Sequence, residues 1–401
     1  MSNHARKEIV VVVAGSASLA IAMGVGRFAF TPILPMMVHD GVLDLDVAGD
    51  LATANYLGYL LGALVAMLIP KKWDQTAVIK LALILTVVFT GLMALPIPST
   101  WIALRFLAGV ASAVGFVFTS GWALAELSGA AGSMASAIYT GPGAGIALSG
   151  IAATILSVAG FTAQWSWVTF AVMSAAVSAL IWRVFATNEK PVDAYYVGTS
   201  RVSSGRVPRS EMPLFAVAYG LAGFGYIVTA TYLPVIAKNA LPASPLLTIF
   251  WPLFGAAGVA GSLFAARLKK NADARLYLVA SYLVQALGVT ISVLWQDVVG
   301  LALSSILVGV PFTAISFFAM NEVRRIRTSH HARYMGLLTA MFAIGQIIGP
   351  PVVTIILRRE ASIDEGFAFA LGIASIALVI GAAIFVAMIV LFPAETKRSK
   401  V

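Results

Sequence analysis

The feature that most limits what this chain can become is its punctuation. Apolar runs of about 20 residues or more follow one another from residue 9 to residue 392, parted only by short polar stretches. A helix needs about 20 such residues to cross the roughly 30 Å of bilayer hydrocarbon. Twelve runs are read, at 9–38, 47–69, 77–97, 100–127, 134–158, 163–186, 212–237, 244–267, 275–295, 298–322, 333–357 and 364–392. Backbone groups in lipid must bond within the structure, which leaves helices or a closed barrel. Barrel strands would alternate polar and apolar over about ten residues. These runs are continuous and longer, so the sequence predicts an all-α membrane protein of twelve transmembrane helices. Composition agrees, with 60% hydrophobic and 11% charged residues against about 45–50% and 25% in soluble domains. A large soluble enzyme, a disordered chain and a nucleic-acid-binding protein are excluded on that ground. The absence of Cys removes disulfide scaffolds and thiolate chemistry. Arg6 and Lys7 precede the first run as in a signal peptide. That run is about 30 residues, against 7–15 for a signal core, and it contains Arg27, so it is read as a retained span.

The net charge of +9 becomes informative once its placement is known. With both termini on one side, that side holds all of the 26 Lys and Arg residues except Lys238, Arg358 and Arg359 opposite and Arg27 and Arg105 within runs. This asymmetry places the N and C termini in the cytoplasm and the chain in a bacterial inner membrane, with anionic lipids as neighbours. Asp40, Asp44 and Asp46 fall on the outer side, as the same rule expects. The long polar stretch at 188–211, with Thr199, Ser203, Gly205 and Pro208, reads as a flexible cytoplasmic linker. It would join an N-terminal six-helix bundle, 1–187, to a C-terminal one, 212–401.

Sliding the chain on itself by about 199 residues gives an ordered set of matches. Gly24, Gly26, Leu34 and Pro35 fall on Gly223, Gly225, Leu233 and Pro234. At a shift of 200, Leu107, Gly109 and Val110 fall on Leu307, Gly309 and Val310, and Gly145 on Gly345. Lys71 and Lys72 recur as Lys269 and Lys270. Two parallel repeats about an axis along the membrane normal are the build of a two-bundle transporter with its site near mid-membrane.

With these features the whole chain resembles the major facilitator superfamily. Arg105 to Gly109 in the fourth run resembles that family's R-x-x-x-G motif, a resemblance that implies a part in proton coupling. Gly141-Pro142-Gly143-Ala144-Gly145 looks like a partial Gly-Pro motif of antiporters. The family's G-x-x-x-D before the lysines is missing between Gly62 and Lys72, and Asp74 comes only after them. Gly24 to Pro35 and Asn55 to Gly62 look most like the bacterial YbfB/YjiJ-like branch, which implies a transporter without naming a substrate.

Arg27 is the sharpest single residue. An Arg at a span centre costs about 2.5–3.5 kcal/mol, so it should face the bundle interior or water. It reads as the cationic anchor of a substrate anion, because a guanidinium pairs a carboxylate bidentately. The structural alternative is an Arg bonded to carbonyls freed near Pro32 and Pro35. Its repeat mate is Tyr226, and Asn55, Tyr56, Tyr59, Tyr139, Trp251 and Gln346 are further candidates for the cavity wall. Arg105 lies near the outer end of its run, where Arg can snorkel to headgroups. Glu126 and Glu322 are near-equivalents in the repeat and read as gate ion pairs, and Asp50 as a helix-start carboxylate favoured by the dipole. Gly24, Gly26, Gly141, Pro142, Gly145, Gly223, Gly225 and Gly345 are read as packing and hinge positions.

No carboxylate falls at mid-membrane, which favours an anionic solute cotransported with a proton over a drug antiporter built on a buried acid. The expectation is a secondary active transporter, monomeric, without cofactor, metal or nucleic acid. Proton-driven efflux of amphipathic drugs and a non-transporting receptor or scaffold are the rivals. His330-His331 has no partner at metal spacing, and no enzyme constellation is present.

Overall fold

The computed structural model describes residues 3–43, 45–70, 73–127, 135–185, 210–240, 248–268, 272–327, 331–360 and 362–393. All of the expected linker except Ser210 and Glu211, together with Lys71, Lys72, Lys269, Lys270, Asp44, His330, Lys397, Arg398 and Lys400, lies outside them. The described residues form helices and turns, with no strand among them. The first crossing comprises α1 (Asn3–Leu19), a π-helical segment (Ala20–Phe28) and α2 (Phe30–His39). It is followed by α3 (Leu45–Leu68), α4 (Gln75–Leu92), α5 (Pro98–Glu126), a 3-10 turn (Ala135–Tyr139) leading into α6 (Thr140–Val158), and α7 (Ala163–Ile181). The second set is α8 (Glu211–Ala240), α9 (Phe250–Ala266), α10 (Ala274–Leu294), α11 (Val298–Ile326), α12 (His331–Leu357) and α13 (Ile363–Leu391).

One sequence expectation needs correction and another is met in part. Among the described residues eleven crossings are long and apolar enough to span a membrane, while the eighth, α9, is described over 17 residues, with 244–247 of the expected run outside the described residues. Its regular helix begins only after a short 3-10 turn at Thr248 and Ile249. The first run is not one continuous α-helix. Nine of its residues form the π segment, which carries Arg27.

Local chemistry sets several helix starts. The carboxylates of Asp74, Asp273 and Asp297 accept from the backbone N–H groups of Thr76, Arg275 and Gly300, and Ser362 does the same for Glu365. Each supplies one of the acceptors that a helix N-terminus lacks. Asp74 and Asp273 are 199 residues apart, so the repeat extends to its caps.

The repeat is also visible in how closely backbones approach. A Cβ on Gly62 would run into the Val110 carbonyl, and one on Gly261 into the Val310 carbonyl. Gly109 faces the Asn55 carbonyl as Gly309 faces that of Phe254, and Gly145 faces the Ala20 carbonyl as Gly345 faces that of Gly220. Helices without side chains at the crossing point gain dispersion contact, the main attraction between helices that already sit in lipid. Between the two sets, α3 packs along α12 and α6 along α9. In the repeat these two seams exchange with one another.

The α6–α9 seam is close enough to test. A Cβ on Gly143 would stand 2.6 Å from the Gly255 carbonyl oxygen and 2.8 Å from the Val259 nitrogen. Gly143→Ala should lower the thermal unfolding midpoint in detergent, by the equivalent of about 1–3 kcal/mol for an overpacked contact. Gly372→Ala, which meets nothing within 4 Å, should leave the midpoint unchanged or raise it. Equal midpoints for the two variants would contradict the seam.

Candidate functional site

The site starts from a shortage of backbone donors. In a π turn each carbonyl accepts from the N–H five residues on. For Arg27 that residue is Pro32, which has no N–H. The Arg27 carbonyl accepts instead from Arg105 Nη2 at 3.1 Å, and the Gly26 carbonyl from Arg105 Nη1 at 3.5 Å and Asn55 Nδ2 at 3.3 Å. Asn55 Nδ2 also donates to the Arg105 carbonyl at 2.9 Å, which ties α3 to α5. Arg105 therefore does not snorkel: it is 3% exposed and turns inward, its guanidinium carbon 4.9 Å from the centre of the Phe30 ring. The structural part considered for Arg27, bonding to freed carbonyls, belongs to Arg105.

Arg27 is left for other partners. It is 2% exposed, and its Nη2 donates to Oε1 of Gln346 on α12, across the interface between the two helix sets. Its guanidinium carbon lies 4.0 Å from the centre of the Tyr59 ring, 5.2 Å from Phe28 and 5.4 Å from Tyr56. Those faces attract a cation. Nε and Nη1 have no hydrogen-bond partner, and no ion pair among the described residues involves Arg27 or Arg105. Glycine makes the arrangement possible, since a Cβ on Gly24 would collide with the Gly145 backbone.

The second helix set brings rings to the same layer. Tyr226 of α8 lies in near-parallel contact with Phe342 and Phe254, its hydroxyl beside Gln346. Trp251 of α9 stacks on Phe254 and meets Phe28 edge-on. Phe312, next to Pro311 in α11, packs against Phe28, Tyr226 and Phe254. One layer nearer the chain termini, Tyr59, Tyr139, Tyr219, Phe312 and Phe342 line a cavity of about 10 Å³. That volume holds about one water molecule.

Of the residues expected at the wall, Arg27, Tyr56, Tyr59, Tyr226, Gln346 and Trp251 come together. Asn55 serves the backbone, and Tyr139 lies below. Sequence reasoning missed Phe28, Phe254, Phe312 and Phe342. The repeat offered a signal, since Phe254 stands where the first half has Asn55 and Phe312 where it has Ser112.

The carboxylates lie away from this layer. Asp50 is exposed near the start of α3. Glu126 pairs with Lys7 of α1 at 3.3 Å. Glu322 accepts from Arg325 at 2.7 Å, and Arg325 reaches Glu211 at 2.7 Å as well. Arg275, fully buried, donates to Asp273 and to the Met388 and Phe392 carbonyls at the end of α13, and stands 3.6 Å from both Glu211 and Glu322. These pairs, expected to gate, bond within their own helix sets. A hydrogen bond that crosses between sets at this end is that of Arg324 Nη1 donating to the Leu124 carbonyl at 2.6 Å. At the opposite end Asp40 accepts from the Ala163 N–H at 2.6 Å, capping α7. No group of three His, Cys, Asp or Glu residues suited to a metal occurs among the described residues.

A family model described as "Uncharacterised MFS-type transporter YbfB" matches residues 19–386. A search of curated proteins finds no significant match. Solved structures with this fold include the human organic anion transporter MFSD10 (TETRAN), with a TM-score of 0.70 at 14% identity, covering 96% of this chain and all of that one. FucP, a transporter solved in the outward conformation, gives 0.68 at 14% identity over 93% of this chain and 98% of its own. The nucleoside transporter NupG, solved as a point mutant, gives 0.64 at 14% identity over 95% of this chain and 99% of its own.

The charge cluster around Arg275 carries a pH dependence. Burial pushes Asp273 up, but the hydrogen bonds and charge of Arg275 outweigh it and hold the carboxyl below the usual range. A depressed carboxylate contributes stability that is present above its unfolded value, about 3.9, and lost as pH falls through the folded value. Thermal midpoints in detergent should therefore fall below about pH 4, and Asp273→Asn should lower the midpoint at pH 7 while flattening that decline. A variant as stable as the parent at pH 7 would mean that Asp273 contributes nothing net.

Proposed function

The chain belongs to the YbfB-type family of major facilitator superfamily transporters, and on that premise we propose that it moves a small organic anion across a bacterial inner membrane by alternating access. One observation carries this reading: a buried guanidinium, Arg27, with two nitrogens unpartnered and no carboxylate beside it. A charge taken out of water is costly unless paired and hydrogen-bonded. The aromatic faces and one amide oxygen offset part of that cost, and an incoming carboxylate would supply the missing charge. Arg27 is the anchor, with Tyr59, Tyr226 and Gln346 around it. The two six-helix bundles rock about the α3–α12 and α6–α9 seams, with the termini in the cytoplasm and the Arg324–Leu124 contact closing that side.

The proton gradient drives the cycle in this reading. The fully buried carboxylates among the described residues, Glu211 and Glu322, sit near helix ends with Arg325. The coupling proton then travels with the substrate, and Arg105 influences it only through charge, since a guanidinium does not release its proton. The ring cluster favours a second reading, efflux of amphipathic compounds, in which Arg27 would be dispensable.

Uptake into proteoliposomes separates the two. With an inward proton gradient, Arg27→Ala should cut uptake of organic anions by about 10–100-fold, the range for a lost charged hydrogen bond. Arg27→Lys should retain part of it, and a protonophore should abolish accumulation. Unchanged transport of every anion by Arg27→Ala would overturn the reading.

A further inference from the structure

The central layer is lopsided. The first half supplies the free cation, while the second half supplies rings that lie nearly parallel. Trp251 and Phe254 are 5.6 Å apart and 18° from parallel, Phe254 and Tyr226 6.5 Å and 13°, Tyr226 and Phe342 5.7 Å and 19°. The ring resting against both Tyr226 and Phe254 is the tilted Phe312, at 4.8 and 5.3 Å, so this wall offers a flat aromatic guest several ring faces to pack on.

The bond between Arg27 and Gln346 points the same way. Both bidentate edges of a guanidinium use Nη2, paired either with Nε or with Nη1. In Arg27 the Gln346 amide oxygen takes one of the two Nη2 N–H groups and so holds one edge, while Nε and Nη1 have no partner. Gln346 stands beside Tyr226, so a carboxylate that reaches Arg27 from among the rings meets the edge held by the amide and displaces its oxygen, which has the shape of one carboxylate oxygen without its charge. The Gln346 Nε2, also without a partner, is then free to donate to the ligand. Among the described residues of this layer only one such cation is available, because Arg105 already serves the Gly26 and Arg27 carbonyls.

Building on the organic-anion reading above, we propose that the ligand is a flat aromatic monocarboxylate that displaces the Gln346 amide from Arg27 and lays its ring among Tyr226, Phe254 and Phe312. The bond between Arg27 and Gln346 links the two halves. The ligand breaks that link as it binds, so occupancy itself loosens the closed arrangement.

The test uses the purified full chain in nanodiscs, titrated with benzoate, cyclohexanecarboxylate, phthalate and benzyl alcohol and followed by calorimetry. Benzoate should bind about tenfold tighter than cyclohexanecarboxylate and phthalate, and benzyl alcohol should not bind. Gln346→Ala and the near-isosteric Gln346→Met, each checked for a parent-like elution profile, should bind benzoate about tenfold more tightly, because the competing amide is gone. Arg27→Lys should weaken both monocarboxylates. Equal affinity for benzoate and cyclohexanecarboxylate, both weakened by Arg27→Lys, would overturn the flat-ligand inference and leave the anion reading standing. Unchanged or weaker benzoate binding in both folded Gln346 variants would overturn the displacement. No binding of any acid, or binding indifferent to Arg27→Lys, would overturn the anion reading and this inference together.

Discussion

A helix that crosses lipid has no water to satisfy its carbonyls, and in the first crossing Pro32 withholds the N–H that a π turn would give the Arg27 carbonyl, while Gly26 and Arg27 both accept from side chains of other helices. Much of the centre is arranged around that shortage. Arg105 comes in from α5 and Asn55 from α3 to donate, which draws three elements together at one depth. Because Arg105 performs this task, Arg27 does not have to. Its guanidinium reaches Gln346 of the other helix set, with the Tyr59 ring of its own set against it. One positive charge is committed to backbone carbonyls, and the other keeps two nitrogens without a partner.

The scaffold around this centre is close to symmetric, and the chemistry is not. Glycine-to-carbonyl contacts recur in both halves at the same register, as do the capping residues Asp74 and Asp273. Between those fixed points the side chains have diverged: Arg27 against Tyr226, Asn55 against Phe254, Arg105 against Ser305, Ser112 against Phe312. Positions that let backbones touch tolerate only glycine, whereas positions facing the central space carry no such steric limit. A duplicated framework thus carries a more polar face in one half and a more apolar one in the other.

Much of the fold was legible in the sequence because lipid imposes simple rules. Run length marks the crossings, and the glycine register betrays the repeat. The π segment was not legible, since hydrophobic periodicity does not separate hydrogen bonds to the fourth residue from those to the fifth in an apolar run; Gly24, Gly26 and Pro32 were its only hints. Arg105 was misjudged because distance from a helix end says how deep a residue sits, not which way it faces. The rotation of α5 against α3 and the π segment decides that. Glu126 and Glu322 stood out as repeat equivalents, but their partners Lys7, Arg325 and Arg275 became evident only with the packing. The rings around Tyr226 were hidden among 22 Phe residues, most of which are ordinary apolar filling.

The π segment also records a difference between the two copies. Ala20 and Gly220 occupy matching places, each offering its carbonyl to the glycine opposite, Gly145 or Gly345. Four residues further on that register still holds, since Gly24 and Phe224 face the same two glycines, whereas Pro35 matches Pro234 at a shift of 199. The first copy therefore carries one residue more than the second between Gly24 and Pro35, where its widened helix passes into α2, while α8 runs on without a break. A helix whose ends are pinned by close contacts cannot pass an insertion along its length, so it swells around the extra residue. Arg27 lies inside that swelling, so the widened turn of one copy carries a cation where the other copy has Tyr226.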